Sequence, residues 1–221
     1  RLATNNYSTA YNDSLGIEKL QKYASLFGLN ERTGIEIEEA APQIANEFPV
    51  MAAIGQSNNN YTTVQLARYV TAVANEGTVY QYTLLNRLED SDGNVLQTFE
   101  PQVRNQIDVL DTEEWNAIHS GMRMVVENTK EFDGFPIEAA GKTGTAQQNL
   151  KRPNHALFVG YAPYDDPEIS IATRIAYGYT SHNAAKLARN VFAYYFNVEN
   201  EDELLNGQAA NGNSSSNEIS D

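Results

Sequence analysis

Three strand-like runs follow one another at residues 137–147, 155–162 and 168–177, and this succession constrains the fold more than any other feature of the chain. The links are short, Tyr164-Asp165-Asp166-Pro167 reading as the turn between the last two. Short links make consecutive strands antiparallel neighbours, because a parallel return needs a crossover of a dozen or more residues. Helical periods bracket the runs. Thr112 opens one with Trp115, Ile118, Met122, Val125 and Val126 along its apolar stripe, and residues 182–196 form another with Ala185, Ala188, Phe192 and Tyr195 on one side. Both stripes can bury against a sheet, so the expected class is α+β, an antiparallel sheet covered by helices.

The upstream half adds shorter elements. Leu20, Tyr23, Ala24 and Phe27 repeat at helical spacing and Gly28 stops the run as a C-cap. Residues 29–50 are turn-rich, with Ile35 and Ile37 allowing one short strand. Thr62-Thr63 caps a helix striped by Val64, Ala67, Val70 and Ala74 and ended by Gly77. Leu84 to Leu88 and Val95 to Phe99 flank Asp90-Ser91-Asp92-Gly93-Asn94, a hairpin signal. Residues 1–14 read as a polar loop. No internal repeat is visible.

Composition excludes several classes of function. Among 221 residues, 29 acids face 15 bases for a formal net charge of −14, which argues against nucleic acid or an anionic membrane surface as a partner. Six of the acids lie in residues 199–221, a stretch without Lys or Arg that turns to Gly, Asn and Ser and is expected to be disordered. The absence of cysteine removes disulfides, thiolate nucleophiles and zinc–cysteine sites. His155 and His182 have no second ligand at metal spacing, and His119 falls on an apolar stripe, where packing is its expected role. Tyr194-Tyr195-Phe196 and Trp115 read as core. No run of 18 apolar residues is present. The first residue is Arg1 rather than Met, so a leader or anchor is expected upstream.

Chemistry concentrates in Ala139-Ala140-Gly141-Lys142-Thr143-Gly144-Thr145-Ala146-Gln147. Lys142 supplies a cation for a carboxylate, Thr143 and Thr145 supply hydroxyls, and the glycines let another backbone approach. A strand of this kind can pair with an extended peptide, and the Thr145 N–H could face a carbonyl under attack. By the two-residue strand period Thr143, Thr145 and Gln147 share one face, while Lys142 starts on the other and must curl around the edge. An ordinary edge strand, guarded against aggregation by Lys142, is the bland alternative.

Gly141-Lys142-Thr143-Gly144-Thr145-Ala146-Gln147 resembles the third active-site motif, K-T-G, of the penicillin-binding transpeptidases. Phe27-Gly28-Leu29 with Thr33-Gly34-Ile35, Ala53-Ile54-Gly55-Gln56 ahead of Thr62 to Ala67, and His155 to Pro163 are similar to that family's domain in the same order. The resemblance runs from about Leu15 to Phe196, and Ala146-Gln147 is more like the monofunctional class B members than class A. It implies part of the penicillin-binding transpeptidase and serine β-lactamase-like fold, with residues 1–198 as the C-terminal portion of the domain and 199–221 as a tail. It also implies that Lys142, Thr143 and Thr145 bind a substrate or β-lactam carboxylate. Gly144 would leave room for the acyl group, the Thr145 N–H would complete an oxyanion hole, and Gln147 would line the cleft. The implied partners are peptidoglycan stem peptides, β-lactams, the upstream remainder of the domain and a cell-division or elongation complex. The implied location is the extracytoplasmic face of the membrane, and no cofactor is implied.

The family's other two motifs are not matched. A nucleophilic Ser with Lys three residues later would place both on one helical face, with the amine taking the hydroxyl proton. The chain has no Ser-x-x-Lys; Ser120-Gly121-Met122-Arg123 comes nearest, and Arg does not deprotonate in proteins. Ser57-Asn58-Asn59, Ser181-His182-Asn183 and Ser215-Ser216-Asn217 satisfy Ser-x-Asn as expected of so Asn- and Ser-rich a chain. Ser57 stands where the family has the second glycine of a Gly-Gln-Gly loop. Nucleophile and base are therefore expected upstream, and these residues alone are expected to be inactive, with apolar helix faces partly uncovered. A D,D-carboxypeptidase or a non-catalytic β-lactam or peptidoglycan sensor module is the alternative to a D,D-transpeptidase.

Overall fold

The computed structural model describes residues 15–148, 150–200 and 204. The expectations for residues 1–14, for Ser215 to Asn217 and for most of the acidic tail lie outside them. Among the described residues five α-helices run in chain order: α1 Leu15–Leu26, α2 Pro49–Ala53, α3 Thr63–Ala74, α4 Thr112–Glu127 and α5 Ser181–Tyr195, with a 3-10 turn at Lys130–Phe132. The strands are β1 Thr78–Gln81, β2 Arg87–Glu89, β3 Val95–Thr98, β4 Gln102–Gln106, β5 Ala140–Ala146, β6 His155–Ala162 and β7 Ile169–Ile175.

The principal sheet has the order β5-β6-β7, antiparallel throughout, with Gly144 opposite Leu157 and Leu157 opposite Arg174. This is the α+β arrangement expected. One face carries Ala156, Phe158, Ile171 and Ile175 and packs on Ala184, Ala185, Ala188 and Phe192 of α5. The other presents Tyr161 and Ala140 to Val70 and Ala74 of α3. Trp115 of α4 completes a second cluster with Phe27, Val73, Val79 and Ile107. Both long central helices begin in capping boxes: Thr62 Oγ1 accepts the Gln65 N–H while Gln65 returns to Thr62 N–H, and Asp111 and Glu114 do the same for α4.

Several expectations need correction. Residues 35–37 form no strand, because Glu36 turns to accept from the Thr83 hydroxyl and the Leu84 N–H while Glu39 turns inward to Thr33. Instead Gln43 bridges Asn60. The hairpin is present as β2–β3, but β1 and β4 also pair around it, and the polar β4 had no alternation to announce it. On α3 the most buried residues include Gln65 and Arg68, while Val64 and Ala67 are only partly covered. Tyr23, Tyr194 and Tyr195 are exposed, and Phe196 rather than Tyr195 packs against the α5 cluster. The apolar faces expected to be uncovered are covered at Trp115, Val126, Ala188 and Phe192, but Leu187, Val191 and Tyr194 leave a second stripe of α5 exposed.

Candidate functional site

The main-chain direction of β5 follows from its neighbours. Ala162 O accepts from Glu168 N–H at 3.0 Å and so faces β7. Successive strand residues alternate sides, and the N–H and C=O of one residue point the same way. Tyr161, Val159, Leu157 and His155 therefore face β5, and their partners Ala140, Lys142, Gly144 and Ala146 face β6. Gly141, Thr143 and Thr145 aim their N–H and C=O groups away from the sheet, along an edge that no described strand covers.

Lys142 reaches that edge. Its Nζ donates to Thr143 O at 2.8 Å, so the side chain has curled from its own face round to the free edge. Lys142 and Thr145 are exposed, Thr143 and Gly144 partly so, and Gln147 is exposed just past the strand. The far end of the edge is closed by Gln56, whose Nε2 donates to Thr145 O at 3.3 Å. Eighty-nine residues of sequence separate the two, and no local signal pairs them.

The two glycines of the motif differ. A Cβ on Gly144 would meet only Leu157 Cβ, at 3.4 Å, leaving open space beside the edge. On Gly141 it would stand 2.8 Å from Val159 O and inside the Phe158 ring, which lies over Gly141 and the opposing Gly160. Gly141 thus admits a core ring rather than an approaching ligand backbone.

The loop bearing Gln56 is held by its own side chains. Asn59 Nδ2 donates to Gln56 O at 3.0 Å, and Asn59 Oδ1 accepts the Ala45 N–H at 2.8 Å. Ser57 has φ 76, the left-handed region glycine prefers, and its hydroxyl donates to Glu47 O at 2.6 Å rather than to a base. Ser181 opens α5 and Ser120 is exposed on α4. The entry to β5 is fixed from α4, where Arg123 donates to Ala139 O at 3.1 Å and pairs with Glu138 at 2.9 Å.

The histidines separate clearly. His119 packs between Trp115 and Tyr161 with Nε2 on Val73 O at 2.9 Å, and His182 pairs with Glu131 at 2.9 Å. His155 lies under the segment that leaves β5, with Nε2 2.9 Å from Gln148 Oε1. Among the described residues no group of three or more His, Asp or Glu is placed to hold a metal ion, and no helix is long and apolar enough to cross a membrane.

An antiparallel sheet packed between helices, with Lys-Thr-Gly on a strand edge that no described strand covers, is the arrangement that the resemblance to the penicillin-binding transpeptidases implies. The family model described as penicillin binding protein transpeptidase domain matches residues 2–193, and the chain belongs to that family. Among curated relatives, the peptidoglycan D,D-transpeptidase MrdA of Haemophilus influenzae is 33% identical, the match covering 86% of this chain and 34% of the relative. Penicillin-binding protein 2B of Streptococcus pneumoniae has a solved structure with a TM-score of 0.72 at 25% identity, over 83% of this chain and 33% of that one. PBP2 of Pseudomonas aeruginosa, solved in complex with WCK 5153, gives a TM-score of 0.69 at 26% identity, over 87% of this chain and 46% of that one. The chain spans about a third of the length of the curated relatives it matches.

Proposed function

We propose that this protein is a class B D,D-transpeptidase of peptidoglycan and that β5 is the wall of its cleft that receives the substrate carboxylate. The observation that carries this reading is the free edge of β5. The Lys142 ammonium is folded onto it, and the main-chain groups of Thr143 and Thr145 point along it. A stem peptide ending in D-Ala-D-Ala lies extended against this edge, its carboxylate held by Lys142 and the hydroxyls of Thr143 and Thr145. Gly144 leaves space for the acyl group and Gln147 borders the exit.

The reaction then divides between this wall and a serine that the sequence does not contain. The serine oxygen attacks the penultimate D-Ala carbonyl, its proton passes to a lysine amine, and the Thr145 N–H stabilises the oxyanion. The C–N bond breaks, the terminal D-Ala leaves with that proton, and a serine ester remains. An amine from a neighbouring stem attacks the ester and gives up a proton through the lysine to the serine oxygen, the C–O bond breaks, the serine hydroxyl is restored and an amide cross-link forms. The same reading puts its work on the extracytoplasmic face of the membrane, with a cell-division or elongation complex as partner.

The test uses fluorescent penicillin. The 221-residue chain by itself should form no stable adduct. A longer chain that supplies a Ser-x-x-Lys beside this wall should be labelled, and Lys142→Ala in it should slow labelling by roughly 10- to 100-fold for the loss of one charge-assisted contact. Labelling of the chain alone would overturn the absence of the nucleophile from these residues, and an unchanged rate in the Lys142→Ala protein would overturn the assignment of β5.

A further inference from the structure

The imidazole of His155 joins three segments at the end of the carboxylate-binding strand. It is the first residue of β6, stands opposite Ala146 at the end of β5, and is only 6% exposed. Nδ1 accepts the Tyr177 N–H at 3.1 Å, from the turn that follows β7. Since a backbone N–H can only donate, Nδ1 carries the lone pair and the proton of the neutral ring sits on Nε2, donating to Gln148 Oε1 at 2.9 Å. Gln148 is two residues past β5 and directly follows Gln147.

The surroundings favour that neutral form. From β7 the Arg174 guanidinium stands 3.4 Å from both ring nitrogens. From the turn the Tyr177 ring lies 4.9 Å away, and from the β5–β6 link Arg152 stacks over Tyr177 and bonds its hydroxyl at 2.7 Å. These partners include two cations and no carboxylate. Tyr177 itself is held at φ 55, a conformation that a tyrosine adopts only when its surroundings impose it. Tyr179 N–H, bonded to Asn154 O at 3.1 Å, fastens the same turn to the β5–β6 link a second time.

We propose that His155 is a positioning residue of the transpeptidase cleft, tying the segment that leaves β5 to the turn after β7 and releasing it when the ring is protonated. The proposal rests on the reading of β5 as the carboxylate wall. Protonation places an N–H on Nδ1 against the Tyr177 N–H and a positive ring beside Arg174. The Tyr177 contact then opens while Nε2–H still donates to Gln148, so Gln148 is no longer tied through the ring to the turn after β7. Thr145 and Gln147, three and one residues before Gln148, lose the support that holds the end of the edge in line. Burial and Arg174 together hold the ring's proton affinity below that of an ordinary histidine, so the release falls on the acid side of 6.5.

Two measurements test this on the full protein. The first is the rate of fluorescent-penicillin acylation between pH 5 and 8 for wild type, His155→Asn and Lys142→Ala. Wild type should lose roughly five- to tenfold in rate on the acid side, the worth of one hydrogen bond. His155→Asn, which keeps an acceptor at the Nδ1 position and cannot be protonated, should lack that acid limb. An acid limb of equal size in His155→Asn overturns the proposal. Lys142→Ala should be slow at every pH and keep the limb; a normal rate there refutes the carboxylate wall and the positioning role with it, whereas a slow Lys142→Ala beside an unchanged limb in His155→Asn refutes the role of His155 alone. The second needs no variant and no acylation: the hydrogen-exchange protection factor of the Tyr177 amide should fall through the same range, and constant protection from pH 8 to 5 overturns the release.

Discussion

At the scale of single residues, the two glycines of the Lys-Thr-Gly strand carry opposite predictions. Gly141→Ala drives a methyl into the Phe158 ring and the Val159 carbonyl, so it should cost roughly 1–3 kcal/mol as overpacking, read as a lowered urea midpoint. Gly144→Ala meets only a 3.4 Å contact and should leave that midpoint nearly unchanged, its effect appearing in ligand acylation instead. His155 adds a pH dependence. Burial first and Arg174 second lower its affinity for a proton in the folded state, so between that lowered value and 6.5 the unfolded chain binds the extra proton. Its contribution is fully present above 6.5 and is lost as the pH falls through the folded value. Urea midpoints should therefore drop on acidification, and the drop should shrink in His155→Asn. The place of Lys142, Thr143 and Thr145 on one strand was legible in the sequence, and so was the need for Lys142 to curl around the edge, because strand parity is a local property. The tasks of Gly141 and His155 were not, since Phe158, Tyr177 and Arg174 reach them from other strands and turns.

At the scale of elements, α3 illustrates how a local signal can be right while its face is misread. The Thr62-Thr63 cap is observed, with Gln65 closing the box and the Thr62 hydroxyl also reaching Glu39 at 3.0 Å. Thr62→Ala should cost about 1 kcal/mol or somewhat more, measured by chemical denaturation. The apolar period pointed to Val64, Ala67, Val70 and Ala74, of which Val70 and Ala74 are buried, yet Gln65 and Arg68 also go inside because the 28–39 segment folds over them and offers carbonyls. Periodicity ranks side chains by transfer from water and has no means of counting acceptors contributed by a distant loop. The hairpin at β2–β3 was readable from its turn, whereas β1 and β4 pair across the whole hairpin. Gln102 to Gln106 owes its strand conformation to Thr78–Gln81 rather than to its own composition.

At the scale of the whole molecule, Arg68 binds the two halves of the upstream region together. It is 1% exposed and donates to the carbonyls of Gly28, Glu31 and Arg32, with the Glu31 carboxylate 4.0 Å away and held in turn by Arg104. Arg68→Ala leaves three carbonyls without their donor and should cost roughly 2–4 kcal/mol at about 1 kcal/mol each. Thermal unfolding followed in parallel at Trp115, which packs on Phe27 and Val73, would register that loss. The longer helices, the β2–β3 hairpin, the three-stranded antiparallel sheet and the Lys-Thr-Gly strand were legible in the sequence alone, because helix period, strand period and turn chemistry act over a few residues. Only the tertiary structure decided that no described strand covers the edge of β5, that Gln56 closes its end from 89 residues away, and that His155 bonds Gln148 just beyond its exit. Those outcomes depend on contacts between segments remote in sequence, and no period within one segment encodes them.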